Sequence, residues 1–247
     1  MNGVFRGIAS VTGFDAAIVD LDGTMVDTLG DFAAAINLML AQLAPGAPPL
    51  DRAVVERMVG KGSEHLVSSV LNLLAAQQFR EDFAINAEAI YGLPGFDSAF
   101  VSYQKHYDAI NGQYAEVYAG VAEGLQGLQR AGLKLACLTN KPLAFAQALL
   151  KLKGLDKFFG LVFGGDSFEQ KKPDPLPLLK TCAALGTAPG RTLMIGDSSN
   201  DALAARAAGC AVVLVTYGYN HGEPVRSVDA DGFVDSLAEL AENLRRI

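Results

Sequence analysis

Short apolar runs and helical patterns alternate along most of this chain, and together they predict its fold. One apolar run covers residues 16–19, and the remaining runs all follow Gly120. Runs of this length favour strands buried on both faces, and strands that alternate with helices are typical of a parallel sheet. The later predicted strands cover 133–138, 161–163, 192–195, 211–215 and 232–234, and the accompanying helices cover 125–130, 142–152, 175–185, 201–208 and 237–246.

The stretch from Asp27 to Gly112 has a different pattern, because its apolar residues recur only at helical spacing. No strand is predicted there, and the helices begin near 27, cover 52–58 and 64–78, and end with one over about 98–111. Since the strand at 16–19 belongs with the later strands, these helices form an insertion. We therefore expect an α/β fold, with a Rossmann-like parallel sheet core from residues 1–26 and 113–247 and an α-helical cap domain from residues 27–112.

The charge balance limits the partners that this protein can have. Its 247 residues carry a formal net charge of −7, and the pI is about 5.0. An acidic chain lacks the basic surface that nucleic acids and anionic membranes require. The first 14 residues do not resemble a signal peptide, and no apolar run is long enough to span a bilayer. We expect a cytoplasmic protein that acts on a small molecule, and the oligomeric state is left open.

Polar residues follow four of the predicted strands. In an open parallel sheet, ligands bind at the carboxyl ends of the strands, so these residues are expected to converge on one place. They are Asp20 and Asp22 after the first strand, Thr139, Asn140 and Lys141 after the second, Lys171 and Lys172 after the third, and Asp197 and Asp201 after the fourth.

This set of side chains is suited to phosphoryl transfer. Clustered carboxylates repel one another unless a cation lies among them, and an all-oxygen set of few ligands suits Mg²⁺. A hydroxyl, backbone amides and a lysine can stabilise the charge on the phosphoryl oxygens. One aspartate can attack phosphorus, and another can transfer the protons of the leaving group and of water. The sequence therefore predicts a magnesium-dependent enzyme that forms an aspartyl-phosphate.

Four segments resemble, in order, the signature motifs of the haloacid dehalogenase-like hydrolase superfamily. They are 20–24 (DLDGT), 138–140 (LTN), 172–173 (KP) and 196–201 (GDSSND). Each segment taken alone also suits an ordinary turn or helix cap. That reading does not explain why all four follow strands, so we prefer the resemblance.

The resemblance implies a role for each aspartate. Asp20 is the implied nucleophile and a Mg²⁺ ligand. Asp22 is the implied general acid and base, and it also binds the metal through its backbone carbonyl. Asp197 is a further implied metal ligand, with Asp201 in a supporting role.

The resemblance also implies a phosphate site. Thr139 and the backbone amide of Asn140 would bind the phosphoryl oxygens. Lys172 would neutralise the charge of the nucleophile and of the phosphate. Lys172 is chosen over Lys171 because the lysine of this motif directly precedes proline, which is Pro173 here.

Local stretches over nearly the whole chain resemble the bacterial phosphoglycolate phosphatases. They are 19–27, 59–62, 139–142, 172–178 and 216–222. The implied reaction is hydrolysis of 2-phosphoglycolate to glycolate and phosphate. The implied cap would exclude water and contact the leaving group, so specificity is expected there.

A cation in the predicted cap is a candidate for binding the substrate carboxylate. Lys61 lies between two glycines on a predicted cap loop, and Arg57 is a rival one helical turn earlier. Lys61 also suits an ordinary solvated position on a loop. Tyr219 and His221 follow the fifth strand, and the glycine-rich sequence around them favours a surface loop.

Three alternatives share most of these residues. The first is a phosphatase that acts on a sugar phosphate or on pyrophosphate. The second is an enzyme resembling β-phosphoglucomutase, which would return the phosphoryl group to its substrate. The third is an inactive module that binds phosphate esters, although the complete set of motifs argues against it.

Overall fold

A computed structural model describes residues 13–81 and 94–245. Its strands, in chain order, are β1 (Ala16–Val19), β2 (Val26–Asp27), β3 (Glu116–Val117), β4 (Lys134–Leu138), β5 (Leu161–Phe163), β6 (Thr192–Gly196), β7 (Ala211–Val215) and β8 (Gly232–Val234). Its α-helices are α1 (Leu29–Leu43), α2 (Arg52–Glu56), α3 (Ser63–Glu81), α4 (Phe96–Ile110), α5 (Val121–Arg130), α6 (Leu143–Leu152), α7 (Leu176–Leu185), α8 (Ser199–Ala208) and α9 (Leu237–Arg245).

The main sheet confirms the predicted α/β fold class. Six of the described strands form it, in the order β5-β4-β1-β6-β7-β8, and all of their pairings are parallel. Val19 of β1 lies opposite Cys137 of β4 on one side and Ile195 of β6 on the other. Because the strand order reverses at β1, a crevice forms beyond its carboxyl end, where ligands bind in such sheets.

Both faces of the sheet are covered, as a parallel sheet requires. Ala16 and Ile18 of β1 point to one face and pack with α7 and α8. Ala17 and Val19 point to the other face and pack with α5, α6 and α9. All four side chains have no solvent exposure, so β1 is buried on both sides and its carboxyl end is held firmly.

Helices α1–α4 pack around a hydrophobic cluster of their own. Phe32 of α1 stacks on Tyr107 of α4, with ring centroids 5.4 Å apart. Leu66 and Val70 of α3 belong to the same buried cluster, and Tyr219 joins it from the loop after β7. These helices correspond to the predicted insertion. The domain boundaries, 1–26 with 113–247 and 27–112, stay a prediction.

A short antiparallel ribbon connects the insertion to the sheet core. Val26 pairs with Val117, and Asp27 pairs with Glu116. The prediction of no strand from Asp27 onward is therefore wrong at Asp27, because a strand of two residues has no periodicity to detect. Among the other described residues of that stretch, no strand belongs to either sheet.

The other predicted elements are present with small shifts at their ends. Helix α5 begins at Val121 rather than at 125, and α8 begins at Ser199 rather than at 201. The last predicted helix reaches Arg246, which lies outside the described residues. Within the described ranges, no helix has both the length and the apolar character needed to cross a membrane. The cytoplasmic location stays a prediction.

Gly124 provides a test of the packing between α5 and α9. A Cβ atom added at Gly124 would overlap the backbone of Leu237. We expect Gly124→Ala to lower the free energy of unfolding by about 1–3 kcal/mol, because overpacking outweighs the better helix propensity of alanine. Thermal unfolding followed by circular dichroism should show a Tm lower by about 2–4 °C for each kcal/mol.

Gly160→Ala is the matched control, because a Cβ atom at Gly160 meets no atom within 4 Å. Equal melting temperatures for the two variants would contradict the packing argument.

Candidate active site

A cleft lies at the carboxyl ends of β1, β4 and β6, between the sheet and the helical insertion. It encloses about 640 Å³, its open mouth included. Lys61 and Arg57 are both exposed, and neither residue lines the cleft. The predicted site residues that do line it are Asp20, Asp22, Thr139, Asn140, Lys172, Asp197 and Asp201.

Asp20 lies at the centre of this cleft, directly after β1. Its backbone N–H donates to the Ile195 carbonyl at 2.9 Å, so the turn continues the pairing of β1 with β6. Its Oδ1 accepts a hydrogen bond from Lys172 Nζ at 2.7 Å. Burial raises the pKa of Asp20 to about 7, and the charge of Lys172 opposes that rise. The carboxylate form therefore depends on nearby positive charge.

Lys172 supplies that charge and connects three parts of the core. Its Nζ donates to Asp20 Oδ1 at 2.7 Å, to the Leu138 carbonyl at 2.9 Å and to Asp201 Oδ1 at 2.7 Å. These bonds use all three donors of the ammonium group. Burial disfavours the charge, but Asp20 and Asp201 outweigh it and raise the pKa of Lys172. Lys172 is therefore a fixed cation.

Asp201 organises the loop after β6. Its Oδ2 accepts hydrogen bonds from the Asp197 N–H, the Ser198 N–H and the Ser198 hydroxyl, at 3.2, 3.2 and 3.0 Å. Together with Ser198 it forms the capping box at the start of α8. Both carboxylate oxygens of Asp201 are thus engaged, which agrees with a supporting role.

Asp20, Asp197 and Asp201 form a buried carboxylate cluster that fits a metal ion. One oxygen from each lies within 4.8 Å of the others. Burial, followed by the charges of Asp201 and Asp20, raises the pKa of Asp197 well above its ordinary value. Such crowding is unfavourable without a cation and favourable with one. The cluster has the all-oxygen character that hard divalent cations prefer.

Two glycines let the backbone close around Asp197. A Cβ atom at Gly23 or at Gly218 would overlap the Asp197 side chain. Gly23 also has a φ of +81°, a conformation that other residues rarely adopt. The DLDGT turn and the loop after β7 therefore meet the carboxylate at distances that only glycine allows.

Thr139 and Asn140 lie beside this cluster, and both are buried. The Thr139 N–H donates to the Phe163 carbonyl at 3.1 Å, and its Oγ1 accepts from the Lys141 N–H at 3.2 Å. No described residue accepts from the Thr139 hydroxyl, so its hydrogen can donate to a ligand. The Asn140 side chain instead holds the backbone of Lys172, through bonds of 2.8 and 3.0 Å. That positioning contact was not predicted from the sequence.

Asp22 faces the cleft beside a second buried lysine. Its Oδ1 accepts from the Thr28 hydroxyl at 2.7 Å and from Lys141 Nζ at 2.8 Å. The same Nζ lies 4.6 Å from the centre of the Phe32 ring and 4.8 Å from that of Tyr107. Lys141 follows a predicted strand, but no role for it is evident from the sequence. Its position after Thr139 and Asn140 was the available signal.

The loop that carries Lys61 contacts the core through its backbone. The Gly60 carbonyl accepts hydrogen bonds from the side-chain amides of Asn140 and Asn200, both at 3.1 Å. The Val59 carbonyl lies 2.8 Å from His221 Nδ1, which is within hydrogen-bonding distance. Core side chains therefore hold this loop over the cleft.

Tyr219 and His221 do not form the surface loop that the sequence favours. Tyr219 is only 8 % exposed, and His221 is partly buried and lines the cleft. Burial lowers the pKa of His221, so the neutral ring is favoured. The glycine-rich sequence around these residues masks their burial, because the covering atoms come from α1 and from the Val59 loop.

Tyr219 also holds the start of α1. Its hydroxyl accepts hydrogen bonds from the backbone N–H groups of Thr28 at 2.7 Å and of Leu29 at 3.1 Å. It donates to Asp27 Oδ1 at 2.8 Å. Since Thr28 contacts Asp22, this anchor fixes the helix next to the proposed acid and base.

Comparison with known proteins identifies the class to which this fold and cleft belong. A model of the haloacid dehalogenase-like hydrolase family matches residues 14–209. The chain therefore belongs to the haloacid dehalogenase-like hydrolase family.

Two related sequences and one related crystal structure give a more detailed comparison. The chain is 44 % identical over 226 residues to a phosphoglycolate phosphatase of Thiobacillus denitrificans, covering 92 % of this chain and 93 % of the relative. It is 39 % identical over 234 residues to one of Nitrosospira multiformis, covering 94 % and 96 %. The crystal structure of a predicted phosphoglycolate phosphatase from Haemophilus somnus 129PT superposes with a TM-score of 0.83 at 31 % identity, covering 94 % of this chain and 99 % of that one.

The Tyr219 anchor can be tested by removing one oxygen atom. In Tyr219→Phe the buried Thr28 N–H loses its acceptor, so we expect the free energy of unfolding to fall by about 1–3 kcal/mol. Thermal unfolding measures this loss. Tyr114→Phe is the control, because the Tyr114 side chain is 58 % exposed. A Tyr219→Phe variant as stable as Tyr114→Phe would rule out the anchor.

Proposed function

We propose that this protein is a Mg²⁺-dependent phosphomonoester hydrolase that converts 2-phosphoglycolate and water to glycolate and phosphate. The observation that carries the proposal is the buried pair of Asp20 and Lys172, 2.7 Å apart, with Asp22 two residues further along the same turn. The names of the relatives in Thiobacillus denitrificans and Nitrosospira multiformis support the choice of substrate.

The proposed metal ligands are Asp20, Asp197 and the backbone carbonyl of Asp22. The raised pKa values of Asp20 and Asp197 support a cation between these two carboxylates. Asp201 is assigned a supporting role, because Lys172 and the Ser198 cap already occupy its oxygens. When bound, Mg²⁺ neutralises charge on the nucleophile and on the phosphoryl oxygens.

The phosphoryl group is bound by the Thr139 hydroxyl and the Asn140 backbone amide, and the nearby charge of Lys172 offsets the negative charge of the phosphoryl oxygens. In the first step an oxygen of Asp20 attacks phosphorus, and the bond from phosphorus to the ester oxygen breaks. Asp22 donates its proton to that oxygen, so glycolate leaves as an alcohol. The product of this step is an aspartyl-phosphate on Asp20.

Water completes the reaction. Asp22, now a carboxylate, takes a proton from the water molecule as its oxygen attacks phosphorus. The bond from phosphorus to Asp20 breaks, which releases phosphate and restores both aspartates to their starting forms. Lys172 stays charged throughout, because its carboxylate partners hold its pKa high.

Helices α1–α4 act as a cap in this proposal. They supply Phe32, Leu66 and Tyr107 to the lining of the cleft. A largely apolar cover excludes bulk water while Asp20 is phosphorylated and strengthens the charge interactions inside. The proposed partner is a small phosphorylated acid, and the proposed location is the cytoplasm.

A panel of phosphate esters tests the reaction and its substrate. We expect Mg²⁺-dependent phosphate release, with the highest kcat/KM for 2-phosphoglycolate among a set that includes glucose 6-phosphate, β-glucose 1-phosphate and pyrophosphate. Asp20→Asn should lower kcat by on the order of 10³-fold or more, because the nucleophile is lost.

Each of the other possible results would support a different substrate or function. A higher kcat/KM for a sugar phosphate would retain the mechanism and overturn the substrate. Conversion of β-glucose 1-phosphate to its 6-phosphate isomer without phosphate release would favour a mutase. Ester binding without turnover would favour an inactive module.

Thermal unfolding with Mg²⁺ and with EDTA tests the metal site. A cation that binds only the folded state adds about 2.7 kcal/mol at a concentration 100 times its Kd, so Mg²⁺ should raise the Tm of the wild type. Asp197→Asn should abolish this increase. The variant should be no less stable than the wild type in EDTA, because one repulsive charge has been removed.

Asp108→Asn removes an exposed carboxylate on α4 and serves as the matched control. It should keep the full increase with Mg²⁺. The same increase in Asp197→Asn would mean that the cation binds elsewhere.

A further inference from the structure

In the part of the chain that the structure describes, two lysines line the cleft, and they differ in how many of their donors already form hydrogen bonds. Lys172 uses all three donors within the core. Lys141 makes one hydrogen bond, to Asp22 Oδ1 at 2.8 Å, among the residues that the structure describes. Since an ammonium group has three donors, Lys141 retains donors for a ligand.

The surroundings of Lys141 favour an anionic ligand. The residue is 5 % exposed, and its Nζ lies over the rings of Phe32 and Tyr107. Aromatic faces hold a cation without neutralising it, and an apolar wall strengthens its attraction for an anion. The Tyr107 hydroxyl is also buried, and it has no hydrogen-bond partner within residues 13–81 and 94–245. Tyr107, which lines the cleft, thus brings a second polar group without a partner in the described residues to the side of Lys141.

Lys141 is also close to the position of the reacting oxygen. In the proposed reaction Asp22 must lie within hydrogen-bonding distance of the ester oxygen, and Lys141 contacts Asp22 directly. In a phosphorylated 2-hydroxy acid, one carbon atom separates the ester oxygen from the carboxylate carbon. A carboxylate so close to that oxygen falls within reach of Lys141 Nζ.

We propose that Lys141 binds the substrate carboxylate and selects phosphorylated 2-hydroxy acids over uncharged phosphate esters. This inference rests on the proposed function, because it assigns the specificity of the same cleft. It gives Lys141 the task that the sequence suggested for Lys61 or Arg57, both of which are exposed. The binding cation then comes from the core loop after β4, while Phe32 and Tyr107 come from the helical insertion.

Contact with Asp22 alone would give Lys141 a different task. A residue that only positions Asp22 affects every ester equally, because each leaving group needs the same proton. A residue that binds the carboxylate affects only substrates that carry one. The ratio of kcat/KM between two matched esters therefore separates the two roles.

The test compares 2-phosphoglycolate with 2-hydroxyethyl phosphate, which has a hydroxymethyl group in place of the carboxylate. Lys141→Met keeps the length and apolar packing of the side chain without its charge. We expect it to lower kcat/KM for 2-phosphoglycolate at least about 30-fold more than for 2-hydroxyethyl phosphate. Lys141→Arg should recover part of the selectivity, and Lys151→Met, on the exposed side of α6, should leave both values unchanged.

Lys141→Gln is the second variant, because its amide can still donate to Asp22 but carries no charge for the carboxylate. It should lose selectivity as Lys141→Met does. Competitive inhibition by inorganic phosphate should be retained in both variants, which shows a folded protein with an intact phosphoryl site.

Equal losses for both esters would overturn the inference and leave Lys141 as a positioning residue. Loss of selectivity in Lys61→Met, with selectivity retained in Lys141→Met, would overturn it in favour of Lys61. A wild type that hydrolyses 2-phosphoglycolate no faster than 2-hydroxyethyl phosphate would instead refute the proposed substrate. That result comes from the wild type alone, so it is distinct from a failure of the Lys141 inference.

Discussion

The rest of the site depends on the hydrogen bonds and ion pairs of the Lys172 ammonium group. It joins Asp20 after β1, the Leu138 carbonyl at the end of β4 and Asp201 in α8, so one buried cation connects three neighbouring parts of the sheet edge. Without it, two carboxylates would be buried close together with no compensating charge, which is strongly unfavourable. Lys172 occupies one oxygen of Asp20, and the Thr24 hydroxyl donates to the other at 3.5 Å. The contacts that stabilise this edge of the sheet are therefore the same ones that would hold Asp20 for its proposed role as nucleophile.

The loops around Lys172 follow from local rules. Asp201 caps the start of α8 and thereby positions Asp197, as Ser and Asp do at many helix starts. Gly23 and Gly218 allow two other loops to approach Asp197 more closely than a residue with a side chain could. Ordinary turn and cap chemistry therefore builds the carboxylate cluster. The repulsion within the cluster is the unusual feature, and it favours a cation.

The sequence predicted the features that depend on strand position. A parallel sheet brings its carboxyl ends together, so Asp20, Thr139 and Asp197 could be placed in one cleft from the apolar runs alone. It could not give the direction of a side chain on a loop, and for this reason it suggested Lys61 or Arg57 as the carboxylate ligand and gave Lys141 no role. It also could not reveal that Tyr219 contacts Thr28, because a single hydroxyl 191 residues away leaves no periodic signal.

The position of Lys141 links substrate recognition to the helical insertion. Its amine belongs to the core, but the rings of Phe32 and Tyr107 belong to α1 and α4. If the helices moved away, Lys141 would lose both aromatic neighbours and gain water, and its attraction for a carboxylate would fall. Because Lys141 also contacts Asp22, a bound carboxylate would be recognised where the proton is transferred. Substrate specificity in this protein would then arise where the sheet core meets the helical insertion. A carboxylate would be bound most strongly when the insertion covers the cleft.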